Sequence, residues 1–377
     1  MPKQPHYKND IRGDIVRFDE RDMLFARQDL VRYFGAESEA YQAYFGCKPD
    51  KEKYHKHLSR KVPLGGKNLS DAPMFRTQFQ WIDRLGTESA VDGQPSQKRE
   101  EFSEGRAAEK IKGTAKIYGA DLIGIGLLNQ QWTYSHIGAT AGNSSGYQPW
   151  GTPIDLNRHS HAIALGFKMD RSLLSAAPNY STMLATAQAY AQSAWTAVRL
   201  AAYIRQLGYS ARAHHFSNYQ VLAVPVAVDC GLGELSRAGY LLTKQFGLGI
   251  RLSIVTTDLL LKVDDPIDIG VQSFCEVCLR CVEECPSGAI PAGEKVLHNG
   301  VMKWKLDEEK CYAYWHVNGT DCGICMDVCP WTKPTTLFHK MMANIASKKG
   351  PHQRWMAKAD RMIYGSHKPG KSPDYLD

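Results

Sequence analysis

Eight cysteines in the last third of the chain fall into two runs, and their spacing constrains this protein more than any other feature of its 377 residues. The first run is Cys275-x2-Cys278-x2-Cys281-x3-Cys285-Pro286. The second is Cys311-x10-Cys322-x2-Cys325-x3-Cys329-Pro330, which keeps the Cys-Pro ending but stretches the first interval. This is iron–sulfur spacing, and in the two-cluster pattern the fourth cysteine of each run ligates the other cluster. The pattern predicts one [4Fe–4S] cluster on Cys275, Cys278, Cys281 and Cys329, and a second on Cys285, Cys311, Cys322 and Cys325. Zinc usually takes two separated cysteine pairs and needs neither the three-cysteine run nor the terminal proline. Disulfides do not favour such tight spacing in an otherwise cysteine-poor chain. The expectation is a protein that moves electrons one at a time. The two other cysteines, Cys47 and Cys230, are far apart and are expected to be ordinary buried thiols.

The length predicts two or three structural units, and 43% hydrophobic residues suffice for a sizeable core. No run of 18 uncharged apolar residues occurs, so no membrane span is expected. The first residues, MPKQPHYKNDIRGD, lack an apolar export stretch, which suggests a cytoplasmic protein as the chain stands. A removed twin-arginine leader would instead place it outside the cytoplasm, at the membrane. The net charge is +7, and most of it lies in the tail. From Trp331 onward, nine Lys and Arg stand against three Asp, leaving +6. A basic tail beside two clusters suits an acidic electron donor or an anionic membrane surface, and equally a solvated helical face. No aromatic-interleaved basic stretch points to nucleic acid.

Residues 1–105 are polar and irregular, with a Gly65-Gly66 turn, and are expected to wrap around the rest. An amphipathic helix is predicted over 107–118, followed by a strand over 121–128 and a polar loop over 129–158. A second buried strand follows at 161–169. The Ala-rich stretch 181–206, closed by Gly208, predicts a long helix. The apolar runs 221–228 (VLAVPVAV) and 251–261 (RLSIVTTDLLL) both suggest strands. An α/β core over 106–268, a cluster module over 269–335 and a basic helical tail over 336–377 complete the expected organisation.

A free ferredoxin needs only the residues around the cysteines, so the long preceding region implies a second redox centre. No flavin or nicotinamide signature accompanies it. In GLGELSRAG, Ser236 stands where a dinucleotide-binding turn requires its third glycine. His367-Lys-Pro-Gly370 has the HxxG spacing of one cobalamin motif but Gly365 where that motif has Asp, and it is taken as chance.

Longer stretches carry a more specific resemblance. FDERDMLFAR (18–27), AAEKIKGTAKIYGADLIGI (107–125), YIRQLGYSARAHHFSNYQVLAVPVAVDCGLGELSRAGYLLT (203–243) and FGLGIRLSIVTTDLLL (246–261) are four of them. With FCEVCLRCVEECPSGAI and CYAYWHVNGTDCGICMDVCPWTK, the chain resembles corrinoid-dependent reductive dehalogenases in order and layout. Epoxyqueuosine reductase, which acts on tRNA, has the same layout but generally carries GLGWIGKN at the 231–239 turn and lacks the extended second cluster motif. A corrinoid-reducing or simple electron-transfer protein is a further alternative. The resemblance implies a nitroreductase-like corrinoid-binding core, α/β (α+β) in class, with a C-terminal bacterial ferredoxin-like module holding two [4Fe–4S] clusters. It implies base-off cobalamin as cofactor, lined by 218–251 with Gly231, Gly233 and Trp315 against it. It further implies a small organohalide substrate, a low-potential donor (ferredoxin, flavodoxin or membrane-linked) and no nucleic acid.

Three catalytic residues carry over from the resemblance. Tyr190, 19 positions before Tyr209, matches the family's proton-donating tyrosine. Arg251, 24 positions before Cys275, matches its active-site arginine. Asn218 matches the substrate-side asparagine if a two-residue insertion is allowed. Trp315 is expected to wall the substrate cavity, with Trp132 and Tyr134 as further candidates. The chemistry suits these types, because exchanging halogen for hydrogen consumes two electrons and one proton. A free tyrosine, with pKa about 10, is a weak acid at neutral pH, and an adjacent arginine favours its phenolate.

Overall fold

The computed structural model describes residues 5–59, 73–138, 148–334 and 336–376. At its centre is a four-stranded sheet. It comprises β1 (Leu122–Leu127), β2 (His161–Lys168), β3 (Ala211–His214) and, after the short pair β4 (Glu234–Leu235) and β5 (Leu241–Leu242), β6 (Ile250–Thr257). The spatial order is β1-β2-β6-β3, and every pairing is antiparallel, with Ile163 opposite both Ile125 and Val255. The alternation of helices with strands thus yields an α+β sheet without parallel crossovers. Central β2 is buried along seven of its eight residues, which is why it reads as a continuous apolar run and not as an alternating one.

Each face of the sheet carries its own core. On one side lies the 27-residue helix Tyr180–Gln206, whose many alanines let it approach the strands closely. The helix stops where Gly208 takes φ +88°, and a Cβ there would meet the backbone oxygen of Lys98 at 2.6 Å. Residues of the N-terminal region therefore cross over this helix end. On the other side packs the helix Ala223–Asp229 with Leu128, Trp132, Ile154 and Ile254. Its C-terminal end abuts Gly124 of β1 so closely that a Cβ would collide with the Cys230 carbonyl.

The helix Ala223–Asp229 replaces the strand expected over 221–228. Pro225 falls in its first turn, where a missing N–H costs no intrahelical bond. A short buried apolar run has no period that separates the two states. The edge strand β3 went unpredicted, because its sequence ARAH buries an arginine and a histidine.

The N-terminal region is more regular than expected. Helices Glu39–Phe45 and Pro49–Ser59 enclose a small core of Leu30, Tyr41, Tyr44 and Phe45, and helix Pro73–Leu85 packs along the long helix. Arg27 and Lys51 both pair with Glu309, joining this region to the cluster-bearing segment. The Gly65-Gly66 turn lies outside the described residues.

The cluster-bearing segment holds helices Val271–Cys278, Arg280–Glu283, Glu308–Asn318 and Ile324–Asp327, with the hairpin β7 (Val296–His298) and β8 (Val301–Lys303) between them. Two helices follow, over Leu337–Ala346 and His352–Tyr364. No helix among the described residues is long and apolar enough to cross a membrane.

Candidate redox and substrate site

The eight motif cysteines are drawn from four helices and the turns between them, and the fold gathers them into two neighbouring groups. Burial pushes Cys275 up to about 12, and Cys329 adds to the effect. Burial likewise raises Cys278 and Cys281, again with Cys275 and Cys329 contributing. In the second group, burial brings Cys311 to about 11 with help from Cys285. It brings Cys322 to about 12, with Cys311 and Cys285 contributing. Cys325 feels Cys322, Cys311 and Cys285, and also Cys329 of the first group. Cys285 differs: burial would raise it, but the Ser287 hydroxyl and the amides of Ser287, Ala289 and Ile290 hold it below the usual thiol range.

Thiols so crowded and dry are poor free thiolates, and they need cationic metal to ionise together. Among the described residues no three His, Cys, Asp or Glu side chains converge on a single-ion position. A [4Fe–4S] cluster asks for something else, one thiolate per iron around a larger body, and this donor set fits it.

Tyr190 and Arg251 meet. Arg251 leaves β6 on the face that carries the long helix, and its guanidinium carbon sits 5.2 Å from the centre of the Tyr190 ring. Arg251 Nη2 donates to Thr186 Oγ1 at 2.9 Å, and Thr186 lies one helical turn before Tyr190. Arg251 Nη1 reaches the Met326 sulfur at 3.6 Å, beside Cys325. The buried Asp321 carboxyl also bonds Thr186 and feels Arg251; burial holds it above the usual carboxylate range. Arg251 Nε and Asp321 Oδ1 are buried without a hydrogen-bond partner, so both polar atoms keep bonding capacity at this place.

An aromatic wall runs from Tyr190 to the cluster-bearing segment. Tyr190 packs on Phe216 at 4.6 Å between ring centres, and Phe216 meets Phe79 at 5.4 Å and Phe25 at 6.1 Å. Phe25 continues to Tyr312 at 5.5 Å and Trp315 at 6.3 Å. Trp315 therefore joins the same wall as Tyr190. Trp132 lies elsewhere, against Tyr7 and with its indole N–H donating to Asp229. Tyr134 packs on Phe18 in the core of the opposite face.

Asn218 is held by the protein itself. Its Oδ1 accepts from Arg212 at 3.0 Å and its Nδ2 donates to the Gly86 oxygen at 2.8 Å. It closes the turn that carries Phe216, pairing with His215 across it. Gly231 and Gly233 serve close packing of chain on chain: a Cβ at Gly231 would sit 2.5 Å from the Asp265 oxygen, and one at Gly233 would strike the Leu242 carbonyl. Gly231 also borders a cavity of about 790 Å³ with Leu122, Leu232, Lys244 and Ile267. None of Tyr190, Arg251 or Asn218 lines that cavity. Cys230 is buried as expected, whereas Cys47 is exposed, just past the end of a short helix with its apolar neighbours turned inward. His367 bonds the Ala177 oxygen and Asp327, so it anchors the tail.

Phe25, Phe216, Thr186, Asp321 and Tyr240 escaped sequence reasoning. Only Thr186 left a trace, its four-residue spacing from Tyr190 on a helix. Tyr240 is raised well above its ordinary value by burial, then by Cys325 and Cys311, while Arg251 opposes; Tyr190 acts on it too. It is therefore within electrostatic reach of both the second cysteine group and the Tyr190–Arg251 pair.

Residues 274–333 match the family model of the 4Fe–4S dicluster domain, so this part of the chain is of the class that holds two [4Fe–4S] clusters. Beyond it, the tetrachloroethene reductive dehalogenase of Sulfurospirillum multivorans is 34% identical over 256 residues, 61% of this chain and 51% of that protein. The enzyme of the same name from Dehalobacter restrictus is 30% identical over 326 residues, 76% of this chain and 58% of the relative. Among solved structures, the catabolic reductive dehalogenase NpRdhA superposes with a TM-score of 0.77 at 27% identity, over 96% of this chain and 48% of that one. The chain is related to the corrinoid-dependent reductive dehalogenases and has their fold. It spans about half the length of the relatives it matches. An epoxyqueuosine reductase of Atelocyanobacterium thalassa is more remote, matching 27% of this chain at 30% identity.

Proposed function

We propose that this chain replaces a carbon-bound halogen by hydrogen on a small organohalide, consuming two electrons and one proton and releasing halide. The observation that carries the proposal is the seating of Arg251 over Tyr190, at the end of an aromatic wall that reaches the cluster-bearing segment. A corrinoid, when bound, supplies the two electrons from its cobalt. The orphaned Arg251 Nε and Asp321 Oδ1 are the polar atoms here with bonding capacity to spare for an incoming group.

The chain's own residues do the remaining work. The Tyr190 phenol gives its proton to the carbon that loses halide, and Arg251 stabilises the negative charge left on the phenol oxygen. Thr186 fixes the guanidinium in place. Phe216, Phe25 and Trp315 exclude water and suit an apolar substrate. Asn218 acts at one remove, holding the turn that presents Phe216. We assign the corrinoid to the region bounded by 218–251, with Gly231, Gly233 and Trp315 at its margins, within a core over 106–268.

We assign one cluster to Cys275, Cys278, Cys281 and Cys329, and the other to Cys285, Cys311, Cys322 and Cys325, in a module over 269–335 that follows the core over 106–268 and precedes the tail over 336–377, with 1–105 as a wrapping segment. Tyr240 feels Cys311 and Cys325 as well as Tyr190 and Arg251, which supports the second cluster as the last stop before the substrate. Such clusters reach potentials below about −400 mV, low enough to need a low-potential donor.

The test is the Tyr190→Phe variant, assayed anaerobically for halide release from a panel of small halocarbons. Iron and cobalt contents are expected to stay unchanged while turnover falls about 100-fold or more, the scale of a lost general acid. Full turnover by Tyr190→Phe would remove Tyr190 as the donor. Iron without cobalt in the purified protein, or turnover of epoxyqueuosine tRNA with no halide release, would overturn the proposal as a whole.

A further inference from the structure

The two tail helices leave a large apolar surface in solvent. Leu337 is 86% exposed and Phe338 and Met341 are each 53% exposed on the first; Met362 is 86% and Ile363 65% exposed on the second. The two sets adjoin, because His339 Nε2 lies 2.7 Å from the Tyr364 hydroxyl, and Phe338 and Ile363 border one groove. Trp355, 71% exposed, extends the apolar surface along the second helix with Lys358 over its ring.

Cations edge this surface and acids are missing from it. Lys340, Lys348, Arg354, Lys358 and Lys368 are exposed and have no acidic partner among the described residues. The first helix contains no acid, and the single acid of the second, Asp360, turns inward to Lys333 and Arg280. Exposed Leu, Phe, Met, Ile and Trp beside unpaired lysines is the pattern of a helix that lies in a lipid interface. An acidic soluble protein would use the cations but leave Leu337 and Met362 wet.

Beneath the patch lies the Cys275, Cys278 and Cys329 group. Phe274 and Trp331, which neighbour Cys275 and Cys329 in sequence, line the groove, and Arg361 Nη2 donates to the Cys278 oxygen at 3.1 Å. Helix Val271–Cys278 packs directly on helix His352–Tyr364. We propose that the tail hairpin docks this protein on an anionic lipid surface, with the Cys275 group turned toward it. This inference stands apart from the dehalogenation proposal, since it concerns binding and is read without turnover.

The experiment is flotation of the intact, cluster-loaded protein with phosphatidylcholine vesicles and with vesicles that also contain phosphatidylglycerol. Binding to the anionic vesicles alone, weakened by salt, is expected. Lys340→Glu with Lys358→Glu should weaken it by more than about 25-fold, from about fivefold per cation at an anionic surface. Leu337→Ser with Met362→Ser should abolish it; both side chains are in solvent, so folding and iron content should not change. Absence of binding to anionic vesicles, or binding indifferent to both pairs of substitutions, would overturn the inference. So would a concentration-dependent dimer in sedimentation that Met362→Ser dissolves, or capture of an acidic ferredoxin through the patch with vesicles left free.

Discussion

Acid should destabilise the fold, because His215 in the turn beside Tyr190 and His159 at the edge of the sheet are buried where a second proton is disfavoured. His215 is fully buried, its Nε2 donates to the Leu85 oxygen at 3.0 Å, and its Nδ1 has no partner. Burial pushes it down to about 4, and nearby Arg212 assists. His159, wedged between Thr256 and Ser210, is also held at about 4 by burial and by Arg158. In the unfolded chain both would titrate near 6.5. The native pKa therefore lies below the unfolded one for a base, and the unfolded state binds more protons in between. Stability is then complete above about pH 6.5 and falls as pH drops toward 4. Between pH 8 and 5.5 the unfolded state gains about 1.4 kcal/mol per ring from this linkage, or about 3 kcal/mol for the two. The assay is anaerobic urea unfolding across that range, comparing the protein with His215→Gln. Acid damage to the clusters is common to both and drops out of the difference. The variant should lose about half of the two-ring dependence, and at pH 5.5 its deficit relative to the parent should shrink by about 1.4 kcal/mol. Parallel pH profiles for the two proteins would refute the argument.

Two further outcomes follow from the same structure. Arg212 is 1% exposed and bridges Glu88, Asp92 and Asn218, so Arg212→Leu should cost about 3 kcal/mol in urea unfolding. That is the low end for a buried pair, since Glu88 and Asp92 keep some water. Cys329→Ser should disturb the cluster on Cys275, Cys278 and Cys281 and spare the one containing Cys322 and Cys325, its own neighbours in sequence. Iron analysis with electron paramagnetic resonance of the reduced variant would show which signal is lost, and loss of the signal from the Cys322 group alone would reverse the crossover.

Much of the fold was legible because its signals are local. The long helix, β1, β2 and β6 each announce themselves by length, period or apolar run. The failures sit where tertiary context overrode local preference. VLAVPVAV is as apolar as a strand, yet Gly124 and Gly126 of β1 leave room for a helix end against the sheet, and Pro225 fits its first turn. β3 carries a buried arginine because acids from 120 residues away come to meet it. The helices of the N-terminal region bury few residues each, and they hold by packing on other parts of the chain.

The cysteine runs belong to what the sequence alone could determine, since ligand spacing is a property of neighbouring residues and survives in one dimension. From it came two clusters and a chain that carries electrons. Where the electrons could go is another matter. Tyr190, Arg251, Phe216, Phe25 and Trp315 lie far apart along the chain, and each taken singly is an ordinary core or surface residue. Only the antiparallel sheet, which sets Arg251 against the long helix, and the packing of the N-terminal region, which carries Phe25 to both Phe216 and Trp315, make them neighbours. Contacts between distant residues are decided by packing, and packing has no period to read.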